Sequence, residues 1–340
     1  MELITIKDIA KALNLSTSTV SRALRGSYEI NPETKKLVIE YAEKHNYRPN
    51  PIALSLKENK SRSIGVIVPE IDNPFFSQVI NGIDAIAYNR GYHVVIFQSH
   101  ESYKRELINL EHLTSRRVDG LLISLSGETQ SVEHLQELHQ KGMPIVLFDR
   151  VSEEINTHKV VSDNFEGAFT ATEHLIREGR RRIVQITASP FLSITKERVN
   201  GYIAALNKYG IPVDESLIRY CGYDLAAIEK MMEELFSGDT PPDGILTVSD
   251  RLALGCLAVL KRRKISIPEQ IAMVGFTNLK AAYLLEPALT TVVQPSLEMG
   301  QRSAELLLDL IERKPSSIPP NYQTFKLYSE LIVRESSVRH

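Results

Sequence analysis

A chain of 340 residues, 43% hydrophobic and 24% charged, is too long for one ordinary domain and has the composition of a globular protein of two or three. Its two cysteines, Cys221 and Cys256, stand far apart and in no ligand spacing, which excludes a disulfide framework and fits a reducing cytosol. The first residues show no leader pattern and no apolar run is long enough to span a bilayer, so a cytoplasmic protein without membrane association is expected. The net charge of −2 is unevenly shared: residues 1–60 hold ten basic and seven acidic side chains, and the remainder thirty and thirty-five. A basic head on an acidic body points to a polyanionic partner for the head.

The head reads as three short helices. Thr5 precedes an amphipathic run from Ile6 to Leu13 with Asp8 three residues on, a capping-box variant. Ile6, Ile9, Ala10 and Leu13 share one face. After a break at Asn14 and Leu15, Ser16 caps a second helix from Thr17 to Leu24, with Val20, Ala23 and Leu24 facing the first. Gly26 and Ser27 end it. Asn31 followed by Pro32 starts a third helix to about His45, with Leu37, Val38, Tyr41 and Ala42 inward. Two short helices packed on by a third make a helix-turn-helix, whose second helix enters the major groove of DNA. Its outer face is Thr17, Ser18, Ser21, Arg22 and Arg25, all hydrogen-bonding and none acidic. An arginine there can donate two bonds to guanine, worth roughly 1–3 kcal/mol. Pro49 and Pro51 stop the third helix. Asn50 caps a short helix through Ala53, Leu54, Leu56 and Lys57, too short to stand alone. It reads either as a proline-punctuated linker or as a hinge that folds on DNA and wedges a leucine into the minor groove.

Beyond Ser63 the pattern changes. Ile64 to Val68 is a continuous apolar run ending at Pro69, the mark of a parallel strand buried on both faces. Further runs follow at Val94 to Phe97, Gly120 to Ser124, Pro144 to Phe148, Ile183 to Thr187, Gly244 to Val248 and Ile271 to Gly275, alternating with helical stretches. That alternation predicts a doubly wound α/β architecture. The pattern also repeats. A shift of 119 residues places Ile64 on Ile183, Asn81-Gly82 on Asn200-Gly201, Ala85 on Ala204 and Gly91 on Gly210. Asp119-Gly120-Leu121 echoes Asp243-Gly244-Ile245, and Phe148 with Asp149-Arg150 echoes Phe276 with Thr277-Asn278. The body is therefore expected to be two similar lobes.

Ligands of open α/β sheets bind beyond the carboxyl ends of the strands. The residues just past those ends are Asn73, Phe75 and Phe76 after the first strand, and Asp149 and Arg150 after the fourth. In the second lobe they are Ser193, Arg198, Asp250, Thr277 and Asn278. Aromatic rings suit a sugar or base face, and the polar groups suit hydroxyls, carboxylate or phosphate. Structural roles stand beside these. One of the two phenylalanines suits the core, Asp250 suits a helix cap, and Arg150 suits a surface pair with Glu153 or Glu154. Catalytic signatures are missing. There is no glycine-rich phosphate loop, dinucleotide fingerprint or nucleophile elbow. His134 and His139 are five apart on a helix and read as solvent-facing, and Glu153-Glu154 and Glu233-Glu234 read as surface pairs. No enzyme activity, cofactor or metal is expected.

The segments Ile4 to Ala10, Ser16 to Leu24 and Tyr47-Arg48-Pro49-Asn50 resemble the head of the LacI/GalR family of bacterial transcriptional regulators, and the likeness runs the length of the chain. The resemblance implies that Thr17, Ser18 and Arg22 read bases and that Leu56 is the minor-groove wedge. With Thr5, Ser16, Ser21, Arg25, Asn50, Ala53 and Lys57 these make the candidate DNA contacts. Leu54 departs from the polar or basic residue of many relatives. The resemblance further implies that the positions of Phe75, Asp149, Arg198 and Asp250 line an effector pocket; Thr277 stands where many relatives carry aspartate. The expected fold is an all-α helix-turn-helix head at 1–48, a hinge helix and linker at 49–62, and a two-lobed core like periplasmic binding proteins. One lobe is expected at 63–160 and about 292–322, the other at 161–291 and about 323–340. The expected function is a repressor on a pseudo-palindromic operator, controlled by a sugar or derivative. No heptad repeat follows the strand-like Thr324 to Val333, so a homodimer is expected. The body alone resembles a transport solute-binding protein, which the head argues against. A regulator signalled by a protein partner fits the same pattern, whereas a sugar-metabolising enzyme lacks candidate catalytic residues.

Overall fold

The computed structural model describes residues 4–47, 60–277, 279, 281–314 and 319–338. The expected hinge contacts Asn50, Ala53, Leu54, Leu56 and Lys57, together with Arg48 and the cleft residue Asn278, lie outside the described residues. The chain divides into two compact units at Ser61.

The first unit holds helices α1 (Ile6–Ala12), α2 (Thr17–Leu24) and α3 (Pro32–Lys44). Each start is set by a local cap. Thr5 and Asp8 form a reciprocal capping box, Ser16 Oγ accepts from the Thr19 N–H, and Asn31 Oδ1 accepts from the Glu33 N–H ahead of Pro32. Such caps satisfy N–H groups that have no partner within the helix. Ile9, Ala10, Val20, Ala23, Val38 and Ala42 make the small core. Leu37, expected inward, is half exposed.

The second unit contains two six-stranded sheets of matching topology. The first lobe runs β1 (Ser63–Val68), α4 (Pro74–Asn89), β2 (His93–Gln98), α5 (Tyr103–Ser115), β3 (Gly120–Ile123), α6 (Glu133–Gln140), β4 (Ile145–Phe148) and β5 (His158–Ser162). The second runs α7 (Asn164–Arg177), β6 (Ile183–Thr187), α8 (Ser193–Lys208), β7 (Ile218–Tyr220), α9 (Leu225–Phe236), β8 (Gly244–Thr247), α10 (Asp250–Arg262), β9 (Ala272–Phe276) and β10 (Thr290–Val293). The chain returns through α11 (Ser296–Glu312), β11 (Thr324–Leu327) and β12 (Glu330–Ile332). Strand orders are β11-β5-β4-β3-β1-β2 and β12-β10-β9-β8-β6-β7. The pairings are parallel except β10 with β12.

The tail corrects the expected division. Thr324–Leu327 pairs with β5 in the first sheet, not the second, and Thr290–Val293 belongs to the second sheet. The extended run from Thr324 to Val333 is two strands in two sheets. Either sheet can accept such a strand at its edge, so composition does not say where the chain changes partner. The tail makes the third crossing between lobes. Lys326 Nζ lies 3.6 Å from Asp163, and Gln294 Nε2 donates to Ser162 Oγ at 3.0 Å, tying the crossings together.

The sequence repeat is a repeat of packing. Gly82 and Gly300 let α4 and α11 touch backbone to backbone: a Cβ on Gly82 would fall 2.2 Å from the Leu297 carbonyl oxygen, and one on Gly300 2.0 Å from that of Val79. Gly201 does the same for α8 against α7, with the Phe165 oxygen at 2.2 Å. Asp119 accepts from the Arg62 N–H before β1, and Asp243 from the Arg181 and Arg182 N–H groups before β6. Asp149 (φ +57) and Thr277 (φ +96) both leave their strands in the left-handed region, each donating its N–H across to the next crossover strand, at Val160 and Val292.

Candidate functional site

On the head, Thr17, Ser18, Arg22 and Arg25 are exposed and Ser21 is half-buried on α2. The hydroxyls of Thr5 and Ser16 serve the caps. Ser16 Oγ also lies 2.7 Å from Ser18 Oγ. The Arg22 guanidinium is held by Glu29 at 3.0 Å, both about half exposed, and Arg25 Nε donates to the Ser21 carbonyl. Exposed pairs of this kind contribute about 0–1 kcal/mol, so a stronger acceptor can take the Arg22 fork from Glu29.

In the core, the carboxyl ends of both sheets face a shared cleft. A cavity of about 630 Å³ lies there, lined from the first lobe by His100, Glu101, Gly127, Glu128, Gln130 and Arg150 and from the second by residues including Ser189, Phe191, Cys221 and Tyr223. Arg150 is 5% exposed. It pairs with Glu101 through both terminal nitrogens, at 2.6 and 3.0 Å, and lies over the Phe76 ring. The alternative of a surface pair with Glu153 or Glu154 does not hold: Arg150 is buried on Glu101, and Glu153 meets Lys159. The partner Glu101 is 49 residues away in sequence, and the parallel sheet brings it close.

Behind Arg150 sits Asp149, with its Oδ2 3.9 Å from Arg150 Nε. Burial pushes the Asp149 carboxyl up, opposed by the charges of Arg150 and Arg198. Arg198 is 4% exposed. It donates to Asn164 Oδ1 at 2.9 Å and to the Val248 carbonyl at 2.6 Å, and its guanidinium carbon lies 4.0 Å from the Phe276 ring centre. Burial pulls the guanidinium down to about 10. Ser193 Oγ accepts from the Val151 N–H at 3.4 Å, and Ser189 Oγ donates to the Gly127 carbonyl at 2.9 Å. Arg251 pairs with Glu70 and lies over the Tyr223 ring. The Ser193, Ser189 and Arg251–Glu70 contacts each join one lobe to the other.

Other expected site residues are placed differently. Phe75 and Phe76 are both buried in the first lobe's core, edge to face, so the pair divides no further into core and ligand faces. Asn73 caps α4 by accepting from the Phe75 N–H. Asp250 does not cap α10, because Ser249 does. Asp250 instead accepts from the Leu279 N–H and from Thr291 Oγ1, pinning the loop that carries Thr277. His134 is not solvent-facing: its Nε2 lies 3.0 Å from buried Glu106, which also accepts from the Ser126 N–H and Thr129 Oγ1. That cluster anchors the loop of Gly127 and Glu128. Among the described residues no metal-holding cluster is present. Glu101, Asn164 and Tyr223 are site members that the strand-end rule overlooked. Tyr223 follows β7, a three-residue strand with no apolar run, and Asn164 opens the helix after a strand, β5, that carries a histidine and a lysine.

Asp250 gives a pH dependence. Burial raises its carboxyl from the usual 3.8 to about 6, against the hydrogen bonds it accepts. The fold therefore favours the neutral acid. Its contribution to stability is complete below about pH 4 and is lost as pH rises through about 6. The melting-temperature difference between wild type and Asp250→Asn is expected to fall between about pH 4.5 and pH 7; a difference constant over that range would refute the raised value.

Residues 5–50 match the model described as bacterial regulatory proteins, lacI family, and residues 61–326 match periplasmic binding proteins and sugar binding domain of LacI family. The chain belongs to the LacI family of bacterial transcription regulators. It is 33% identical over 308 residues to the HTH-type transcriptional repressor CytR of Escherichia coli, covering 91% of this chain and 90% of that one. It is 30% identical over 332 residues to the repressor PurR of Vibrio atlanticus, covering 98% of each. Among solved structures, a complex of the regulator CelR with cellobiose matches with TM-score 0.72 at 28% identity, over 98% of this chain and 99% of that one. The lac repressor dimer bound to operator matches in fold, with TM-score 0.86 at 21% identity, over 99% and 100%. This LacI-family chain is a helix-turn-helix transcriptional regulator and not an enzyme. No described helix is long and apolar enough to cross a membrane.

Proposed function

We propose that this chain is a cytoplasmic, homodimeric repressor whose two heads read the half-sites of a pseudo-palindromic operator through Thr17, Ser18 and Arg22, and whose operator affinity is set by a small carbohydrate or derivative in the inter-lobe cleft. The observation that carries the reading is the convergence of buried Asp149, Arg150 and Arg198 behind a cavity of about 630 Å³ formed by both lobes. Buried charges are costly unless paired or used, and a cavity of this size with a few convergent polar groups suits a small ligand. Relatives with bound sugars support the class: CelR with cellobiose, and a regulator of Enterococcus faecium with ribose, at 29% identity and TM-score 0.70 over 81% of this chain and 98% of that one. A ligand touching both lobes favours one lobe spacing over another. Its differential affinity is the only source of energy for the switch.

The test is thermal melting against a panel of neutral sugars, sugar acids, sugar phosphates, nucleosides and nucleobases. A ligand of the folded state stabilises it by about 2.7 kcal/mol at a hundredfold excess over Kd. A dose-dependent rise that is lost in Arg198→Ala is expected. A rise of equal size in Arg198→Ala would remove Arg198 from the residues that support the ligand, and a panel without any rise would overturn the effector assignment.

A further inference from the structure

The donors that an anionic ligand would use in the cleft are filled by a carboxylate of the chain itself. Glu101 Oε2 accepts from Arg150 Nη1 at 2.6 Å and from the Gly127 N–H at 2.7 Å, and Oε1 accepts from Arg150 Nη2 at 3.0 Å. A guanidinium fork beside a backbone N–H is the arrangement that binds phosphate or carboxylate groups. Glu101 is 29% exposed in its side chain and lines the cavity, while Arg150 is 5% exposed beside it. The acid therefore occupies these donors at the cavity wall.

The backbone is bent to put it there. His100 (φ +48) and Glu101 (φ +62) are consecutive non-glycine residues in the left-handed region. Such a conformation persists only where its surroundings enforce it, and it gathers at functional sites. Here the Glu101 carbonyl accepts from the Glu128 N–H, so both ends of the residue are tied to the loop of Gly127 and Glu128. Burial pushes the Glu101 carboxyl up, but Arg150 and the Gly127 N–H outweigh it and hold it below the ordinary carboxylate range. It stays an anion at neutral pH. The other charges leave no surplus of positive sign: Arg198 faces Asp149, Arg251 pairs with Glu70, and Glu128 stands at the wall. Arg150 is the one arginine or lysine lining the cavity among the described residues.

We propose that Glu101 is a specificity-determining residue, a resident anion that occupies the Arg150 and Gly127 donors and makes the cleft select uncharged polyhydroxy effectors over their phosphorylated or carboxylated forms. The proposal rests on the reading of the cleft as the effector site. An incoming phosphate would meet a filled guanidinium fork and a like charge within contact distance, a rejection built from repulsion as well as lost bonding. An uncharged ligand keeps the Glu101–Arg150 pair intact and bonds to its outer edges.

The experiment uses the full chain and inorganic phosphate as probe, with chloride at equal ionic strength as control. Wild type, Glu101→Gln and the double variant Glu101→Gln/Arg150→Gln are compared by thermal melting. The expected result is a saturable phosphate-dependent rise in Glu101→Gln that is tighter than in wild type by at least about tenfold and is absent from the double variant. Equal phosphate response in wild type and Glu101→Gln, or none in a folded Glu101→Gln, would overturn the proposal. Should Glu101→Gln not fold, calorimetry on wild type decides: the neutral ligand found by the panel should bind at least about tenfold more tightly than its phosphate ester, and the reverse order would overturn the assignment. Failure of the effector-site reading is a separate result, since it shows as a panel without any rise in wild type, whatever phosphate does at Arg150.

Discussion

Gly300→Ala is expected to destabilise the core by at least about 3 kcal/mol, the upper end of what overpacking costs. The new methyl group would fall 2.0 Å from the Val79 carbonyl oxygen and 2.8 Å from its carbon. Both are backbone atoms of α4, so no side-chain rotation relieves the clash. The helices must separate, and their separation opens the packing of Met299, Ala304 and Leu307 against Phe76, Val79 and Ile83. The control is Gly238→Ala, where no atom lies within 4 Å of the added carbon and the change should stay within about 0.5 kcal/mol. Urea denaturation of both variants decides the matter: if they behave alike, the helices do not meet through their backbones at Gly300.

Arg22→Ala is expected to weaken operator binding by about 10- to 100-fold, the worth of one bidentate arginine–guanine contact. Binding to unrelated duplex should change little, and the effector-induced rise in melting temperature should be unaltered. The side chain stands on the exposed face of α2 with its fork lent to Glu29, so its removal leaves the head's core of Ile9, Val20, Ala23 and Val38 untouched. Glu29→Gln serves as the companion, since it frees the same fork without removing it and should preserve the operator preference. Binding is measured on duplexes selected from a random pool by the wild-type chain, at fixed salt, because phosphate contacts make every affinity salt-dependent. An Arg22→Ala protein with undiminished preference for those duplexes would remove Arg22 from the base-reading set.

The cleft shows how a site can be half visible in a sequence. Asp149 and Arg150 directly follow the buried apolar run Ile145–Phe148, a local feature of the chain, whereas Arg198 stands in the second turn of α8, past the loop that follows Ile183–Thr187. What they bond to is not local. Arg150 finds Glu101 rather than Glu153, and Arg198 finds Asn164 and the Val248 carbonyl. Phe75 and Phe76 look like ligand-facing aromatics because they follow a strand, yet both sides of that helix turn are buried. His134 looks like a solvated helix residue because its neighbours are polar, and only the packing of α6 against Glu106 shows its use.

Local signals along the chain were enough for the three helices of the head, the seven apolar strand runs of the core and their duplication, but not for β5, β7 and β10, which are short or mixed in polarity. Caps such as Thr5 with Asp8 act within one turn, and hydrophobic periodicity reports burial without reference to a partner. The paired glycines and Asp-Gly starts of the repeat likewise follow from chain spacing alone. Long-range packing was needed to assign each half of the tail to its sheet, each buried arginine to its carboxylate or carbonyl, and each polar residue at a strand end to the cavity or to the wall behind it. Those outcomes depend on contacts between segments tens to hundreds of residues apart, as with Glu70 and Arg251. Pairing energy there is set by the geometry of two packed lobes, a quantity that no window along the chain contains.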